Sequence, residues 1–386
     1  MMITLQGAPS PQTAEVNGLP HVLLVVDQFS RNLGGGERIV LKLAALLPRY
    51  GYRASILTFA ADPESPALKS APCPIYLLPL QRTYGLAAMK AALHLRRFLK
   101  QQQVRIVQTF FESSDIWAGF VTKTMSNAKL IWSRRDMGIL RTRKHEIAYR
   151  LMSGLPDAVF AVSELVRRHC IEVDRIDPAR VQTIYNGLNL DDWDTSARVH
   201  PADESHVTTA GNIRHVKGHD IFIKAAAALM PQFPNTSFSI AGGILEPDYF
   251  EELQSLVRDL NLADRFHFLG GVTNLREHLS GADIFVLPSR SEGFSNAIVE
   301  AMAASLPVVA TDVGGNAEAV QDSVSGFIVP PEDPAALAAA IAQLLADPSR
   351  AEAMGAAGHL RVADKFTTDA MMKQTAAAYA NLLPQR

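Results

Sequence analysis

Two glutamates eight residues apart, Glu292 and Glu300, bracket a stretch that reads as strand, polar loop and helix. The apolar run Ile284–Leu287 predicts a buried strand and Pro288–Phe294 a loop, with a helix from near Ser295 to about Ala304. A helix start leaves backbone N–H groups without intrahelical partners, and its dipole is positive there. At the end of a parallel strand, such a terminus suits a diphosphate. Gly293 allows a ligand close to the backbone. Glu300, one to two turns into the helix, is placed to reach a ribose diol behind the phosphates. Glu292, on the loop, is placed to reach a sugar on the other side. An isolated pair of this spacing is more often a surface loop acid and an exposed helix acid. The second glycine turn, Gly314–Gly315 followed by Glu318, again between strand and helix, weighs against that plainer reading.

Other chemistry-bearing groups fall at similar places. Arg214 and Lys217 lie in GNIRHVKGHDIFIKAAA, which follows the first strand of the second half. Cations in that loop can neutralise a diphosphate leaving group, which otherwise usually needs a metal. Alone they would pass for a basic surface loop. Gly34-Gly35-Gly36-Glu37 joins the strand Val22–Val26 to a helix, and three glycines admit a ligand near the backbone. The run SRRDMG, Ser133 to Gly138, ends another strand and offers Arg134, Arg135 and Asp136. An arginine there can stabilise a departing phosphate or bind an anionic acceptor. Phe110, Phe111 and Glu112 end the preceding strand. The eleven histidines show no metal spacing: His215 and His219 flank Lys217 without a third ligand nearby, so no metal site is expected.

These loops need parallel sheets to hold them. Short apolar runs alternate with helical patterns along the whole chain, from His21–Val26, Arg53–Phe59 and Ile75–Leu78 to Val308–Thr311 and Phe327–Val329. Alternation of this kind predicts doubly wound α/β domains. At 386 residues the chain exceeds what one core supports, and 48% hydrophobic content supplies two. The Asp-rich, aperiodic segment Asn186–Glu204 marks a hinge, around residues 190–205. The expected organisation is a disordered lead-in over 1–19, a first domain over 20–195, a second over 196–366, and a C-terminal helix over 367–386 packing back toward the first. Two such domains in tandem would leave a ligand-binding cleft at the carboxyl ends of their strands.

Bulk charge excludes an obvious nucleic-acid binder, since the net charge is −2. Residues 80 to 150 nevertheless carry 14 Lys plus Arg against 4 Asp plus Glu, which suits an anionic partner such as a membrane surface, or else a solvated face. Cys73 and Cys170 form no framework, and a reducing, cytoplasmic setting is expected. The first residues lack the basic-then-apolar order of a signal peptide, and no run approaches the length of a membrane span. Membrane contact is therefore expected to be peripheral, on the inner face.

The segment EGFSNAIVEAMA, with LPVVATDVGG and the trailing NAE, resembles the signature of family-four retaining glycosyltransferases (glycosyl transferases group 1). The resemblance implies the GT-B fold, two Rossmann-like domains facing each other across a cleft, and runs from about Val22 to Phe366. It implies that Glu292 contacts the transferred sugar, that Glu300 holds the ribose hydroxyls, and that amides at Gly293, Phe294 and Ser295 face the diphosphate or sugar, with Asn296 beside them. Gly211, Arg214 and Lys217 match the family's basic phosphate-binding loop, with Asn212 where an arginine is usual. Gly270 matches a position near the base, and Gly35 and Gly36 match the family's GGxE sequence. Ala304–Ser305 departs slightly from the usual small residue followed by glycine. SRRDMG replaces a histidine common in the family, so Arg135 and Asp136 become the first-domain catalytic candidates.

The resemblance further implies a nucleotide-sugar co-substrate, by default a UDP-sugar with GDP also open, no cofactor, and retention by front-face attack rather than double displacement. The acceptor is expected to be a glycan or lipid-linked, as in polysaccharide or lipopolysaccharide assembly. A nucleotide-sugar epimerase of the same shape and a non-catalytic nucleotide-sugar-binding protein are the alternatives.

Overall fold

The computed structural model describes residues 3–6, 18–31, 33–138, 141–193, 204–272 and 274–384. Most of the expected lead-in, and the centre of the expected hinge, lie outside them. The chain divides into two compact units, residues 1–186 with 369–386, and residues 187–368.

In the first unit the elements run β1 (Ile3–Gln6), β2 (His21–Phe29), α1 (Gly35–Leu46), β3 (Arg53–Ala61), α2 (Pro66–Lys69), β4 (Ile75–Leu77), α3 (Leu86–Gln101), β5 (Val104–Thr109), α4 (Gly119–Met125), β6 (Lys129–Arg134), α5 (Arg143–Leu151), β7 (Ala158–Ala161), α6 (Glu164–Glu172) and β8 (Val181–Thr183). The sheet order is β1-β4-β3-β2-β5-β6-β7-β8. Every pairing is parallel except that of β1 with β4. The apolar run of β2 is buried on both faces, as a central parallel strand must be. Its side chains alternate: Val22, Leu24 and Val26 join a core with Ile39, Val40 and Leu43 of α1, while Leu23 and Val25 join one with Leu95 and Leu99 of α3. One strand thus anchors both helical layers. Ile3–Gln6 corrects the expectation of a wholly disordered lead-in. An edge strand needs only backbone pairing and a β-prone run, which Ile3-Thr4-Leu5 supplies.

In the second unit the order is β9 (Ser205–Ala210), α7 (His219–Leu229), β10 (Thr236–Ala241), α8 (Pro247–Asp259), β11 (Phe266–Gly270), α9 (Leu275–Ser280), β12 (Ile284–Leu287), α10 (Asn296–Ala303), β13 (Val308–Thr311), α11 (Asn316–Ala319), β14 (Gly326–Val329), α12 (Pro334–Ala346) and α13 (Pro348–Lys365). Its sheet is wholly parallel, β11-β10-β9-β12-β13-β14. Both units are Rossmann-like. Each has a switch point where the winding reverses, between β2 and β5 in the first and between β9 and β12 in the second.

The division falls at Asn186 and Thr368 rather than at the expected 195 and 366. Leu188 pairs with Thr367 in a parallel bridge, and Arg276 donates to the Asp192 carbonyl, so the strand leaving β8 already belongs to the second unit. Gly187 is required there, because a Cβ would lie 2.5 Å from the Thr367 carbonyl oxygen.

The last helix, α14 (Thr368–Leu382), brings Tyr379 into the core of the first unit. Its ring stands edge-on to Tyr52 at 5.2 Å, and its hydroxyl donates to Gln108 Oε1. Tyr379→Phe is expected to cost about 1–3 kcal/mol by stranding that buried amide oxygen, and Tyr379→Ala about 3–5 kcal/mol by also opening a cavity. Urea unfolding of the three proteins checks the order; equal midpoints for all would show that α14 contributes nothing to the core.

Candidate active site

At the switch point of the second unit, three strand-to-helix loops meet: residues 211–218 after β9, 288–295 after β12 and 312–315 after β13. Their backbones approach so closely that side chains are excluded. At Gly218, with φ +64°, a Cβ would lie 2.0 Å from the Pro288 carbonyl oxygen. At Gly314, with φ +56°, it would lie 2.0 Å from that of Glu292. Hydrogen bonds fasten the same seams: Arg290 N donates to Val216 O at 2.8 Å and Gly315 N to Gly293 O at 3.0 Å.

On this frame Lys217 Nζ meets Glu292 Oε1 at 2.7 Å, with both side chains largely buried. Ser289 Oγ donates to the same oxygen, also at 2.7 Å. Thr311 Oγ1 donates to Ser289 O at 2.6 Å, and Asn316 Nδ2 to Thr311 O at 3.0 Å. The stem of Lys217 lies over Gly211, where a Cβ would be 3.6 Å from its Cδ. Arg214 turns elsewhere: its Nε is 3.3 Å from Glu246 Oε1, and the second oxygen of Glu246 accepts from His215 N at 2.7 Å. That backbone donor, and Arg214 after it, hold the Glu246 carboxyl below the usual range.

Phe294 is buried with its ring 5.3 Å from Phe366, which fixes the loop as it enters α10. Ser295 precedes that helix and its side chain makes no capping hydrogen bond. Asn296 is the first helical residue and Glu300 the fifth, half-buried. Gly270 ends the edge strand β11 with φ +65°, away from the three fastened loops.

Arg290 is a fastener that the sequence did not reveal. Its guanidinium donates to both oxygens of Asp220, at 2.8 and 3.0 Å, to His215 O at 2.8 Å and to Glu332. Burial opposes ionisation of Asp220, but the Arg290 bonds and the Tyr249 hydroxyl outweigh it and hold this carboxyl well below its ordinary 3.8.

In the first unit the expected residues gather at carboxyl ends of neighbouring strands. Glu37 turns into its own loop. Its Oε1 accepts from Ser30 N at 2.8 Å and its Oε2 from Gly34 N at 2.5 Å, so it closes the glycine loop on itself. Gly36 leaves room for the Phe111 ring, which a Cβ would meet at 2.8 Å. Asp27 caps the turn after β5, accepting from Ser113 N and Ser114 N.

Arg134 and Arg135 have different fates. Arg134 is buried, 3.0 Å from Asp174, which Arg141 also grips at 2.7 Å; both guanidiniums cover the ring of Tyr149, at 4.5 and 4.0 Å. Tyr149 in turn donates to buried Asp115 at 2.9 Å. Arg134 is therefore a structural cation. Arg135 instead donates to Asn186 Oδ1, and burial lowers its pKa to about 10. Asp136 accepts from Gly138 N at 2.6 Å in a tight turn. Burial raises the nearby Glu112 carboxyl.

Among the described residues no group of His, Cys, Asp and Glu could hold a metal ion, and no helix is long and apolar enough to cross a membrane.

The Asp220 clamp gives an acid signature. Its folded pKa lies below the unfolded value of 3.8. It therefore adds stability that is complete above that value and is lost as pH falls through the folded one. Asp220→Asn is expected to be less stable than wild type near neutrality and to lose less between about pH 5 and pH 2. Parallel acid-unfolding curves for the two would mean the clamp is energetically idle.

Two family models match the chain, Glycosyltransferase Family 4 over residues 33–192 and Glycosyl transferases group 1 over 194–361. A lipopolysaccharide core biosynthesis mannosyltransferase, LpsB of Rhizobium meliloti (strain 1021), is 34% identical over 236 residues, covering 60% of this chain and 64% of that protein. A GDP-mannose-dependent alpha-(1-6)-phosphatidylinositol monomannoside mannosyltransferase of Mycolicibacterium smegmatis is 38% identical over 151 residues, covering 37% and 39%. The chain thus matches under two thirds of the length of these curated relatives. A glycosyltransferase crystal structure from Rickettsia africae ESF-5 superposes with a TM-score of 0.83 at 20% identity, covering 95% of this chain and 100% of that one, which shows the shared fold. The two family models adjoin and together take in nearly all of residues 33–361, and this chain belongs to the family-four glycosyltransferases of GT-B fold.

Proposed function

We propose that this chain is a retaining, metal-independent glycosyltransferase. It takes a sugar from a nucleoside-diphosphate sugar and passes it to a glycan or lipid-linked acceptor in cell-surface polysaccharide or lipopolysaccharide assembly. The observation that carries the proposal is the meeting of Lys217 and Glu292 at 2.7 Å at the switch point of the second unit, beside the start of α10. One group there suits phosphate and the other suits sugar hydroxyls. Lys217 and the amides at the start of α10, from Gly293 to Asn296, take the diphosphate. Glu292 meets the sugar, and Glu300 holds the ribose. Arg214 joins the phosphates on leaving Glu246, Gly211 admits the stem of Lys217, and Gly270 borders the base. In the first unit Arg135 and Asp136, with the Gly35–Gly36 turn, serve the reacting centre.

In the transfer the acceptor oxygen forms its bond to the anomeric carbon on the face from which the diphosphate oxygen departs. The acceptor proton passes to that departing oxygen, and positive charge on the protein stabilises the diphosphate. A UDP-sugar is the default donor. The mannosyltransferase relatives, one of them GDP-mannose-dependent by name, put GDP-mannose into the same screen.

Calorimetric titration of UDP, GDP and NAD into wild type and Glu300→Ala tests the donor site. One of the two diphosphates is expected to bind, and the variant to lose about tenfold or more in affinity with the ribose hydrogen bonds. Unchanged binding by Glu300→Ala would defeat the assignment. Time-dependent release of nucleoside diphosphate marks a transferase; a product still linked to nucleotide marks an epimerase.

The proposed setting is the cytoplasmic face of an anionic membrane. Leu86, Met89 and Leu93 form an exposed stripe on α3, and Lys90, Arg97 and Lys100 continue the same face. An apolar patch with adjoining cations suits the headgroup region. Flotation with phosphatidylglycerol vesicles is expected to recover wild type and to lose the triple variant Leu86→Ser, Met89→Ser, Leu93→Ser. Equal recovery of both, or of neither, would remove the membrane from the proposal.

A further inference from the structure

Glu292 is served by two donors on one oxygen. Lys217 Nζ and Ser289 Oγ both lie 2.7 Å from Oε1, and Oε2 has no hydrogen-bond partner among the described residues. A diphosphate would therefore compete with Glu292 for the Lys217 ammonium. When phosphates draw it away, a carboxylate only 9% exposed must keep its direction without its cation.

We infer that Ser289 is the positioning residue for this step: its hydroxyl holds Oε1 of Glu292 while Lys217 transfers to the donor's phosphates, leaving Oε2 aimed at the sugar. The inference rests on the function proposed above. Ser289 is built for such a task. It is fully buried, and its carbonyl is held by Thr311 Oγ1 at 2.6 Å, with Thr311 tied in turn to Asn316. Three residues on, the carbonyl of Glu292 is backed by Gly314, so both ends of the Ser289–Glu292 turn are fixed. A hydrogen bond from a neutral hydroxyl does not compete with phosphate, whereas the lysine does. Binding the donor is then an exchange of one ion pair for another. Glu292 carries an opposing effect: it improves recognition of the sugar and weakens recognition of the bare nucleotide.

The exchange has a counterintuitive signature. Removing the charge of Glu292 frees Lys217, so Glu292→Gln is expected to bind nucleoside diphosphate about three- to tenfold more tightly than wild type while losing sugar transfer. Ser289→Ala is expected to bind nucleoside diphosphate within about threefold of wild type. It should lose about tenfold or more both in donor turnover and in the affinity difference between nucleotide sugar and bare nucleotide.

The experiment is calorimetry of UDP against UDP-glucose and of GDP against GDP-mannose, with nucleoside diphosphate release as the rate, on wild type, Ser289→Ala and Glu292→Gln. Thermal unfolding accompanies each variant. Wild type that binds neither pair overturns the proposed function and this inference with it. Wild type that binds, beside a Ser289→Ala that keeps the sugar-dependent difference or weakens both ligands by one factor, overturns this inference alone. If Ser289→Ala fails to fold, Glu292→Gln decides: its bare-nucleotide affinity rises if the exchange is real and stays level or falls if it is not.

Discussion

The second unit depends on backbone meeting backbone. The loops after β9, β12 and β13 touch through Gly218 on Pro288 and Gly314 on Glu292, at separations where no Cβ fits. Both glycines have positive φ, so the same positions also require a conformation that other residues rarely adopt. This contact brings residues from widely separated parts of the chain, Lys217 and Glu292, within 2.7 Å. The ion pair is a consequence of the seam. Arg290 then sets the basic loop from the outside, through Asp220 and the His215 carbonyl.

Charge in the first unit is used differently. Arg134, Arg141, Asp174, Tyr149 and Asp115 form a buried group whose members face one another, with Arg141 Nε left without a hydrogen-bond partner. Buried pairs of this kind seldom add net stability over apolar residues, but breaking one is costly because a charge is left stranded. Their effect is geometric: they tie α5 and the turn after α6 to the end of β6, and so fix where the backbone of Arg135 and Asp136 begins. Two adjacent arginines of the same sequence run thus divide, Arg134 pairing with buried Asp174 and Arg135 donating to Asn186 Oδ1.

The alternation of strands and helices is legible because parallel strands buried on both faces must read as apolar runs, and β2, β12 and β13 do. Glu292, Lys217 and Glu300 stand out as candidates because their loops carry short local patterns of glycine, acid and base. The partners that hold Glu292 do not stand out. Ser289, Thr311 and Asn316 are small polar residues without a local signal, and their bonds span loops set by tertiary contact. Glu37 shows the opposite limit: its glycine motif was plain, yet the side chain satisfies Gly34 and Ser30 rather than a ligand. Proximity in sequence pairs Arg214 with Lys217, but the 3₁₀ turn His215–Lys217 sends the two side chains to different acids.

The absence of the family's first-domain histidine from SRRDMG bears on where a proton can go. Burial lowers the pKa of Arg135 to about 10, which still leaves it charged near neutrality and unable to act as a base. Asp136 is occupied by the amide of Gly138, and Glu37 by its own loop. Burial raises the pKa of the neighbouring Glu112 carboxyl, which makes its ionised form a stronger proton acceptor than an exposed carboxylate. On the proposed reading the acceptor proton goes to the departing diphosphate itself, and Lys217 with the start of α10 stabilises that group. On that reading Lys217 meets both needs in turn, paired with Glu292 before the donor binds and with the phosphates afterwards.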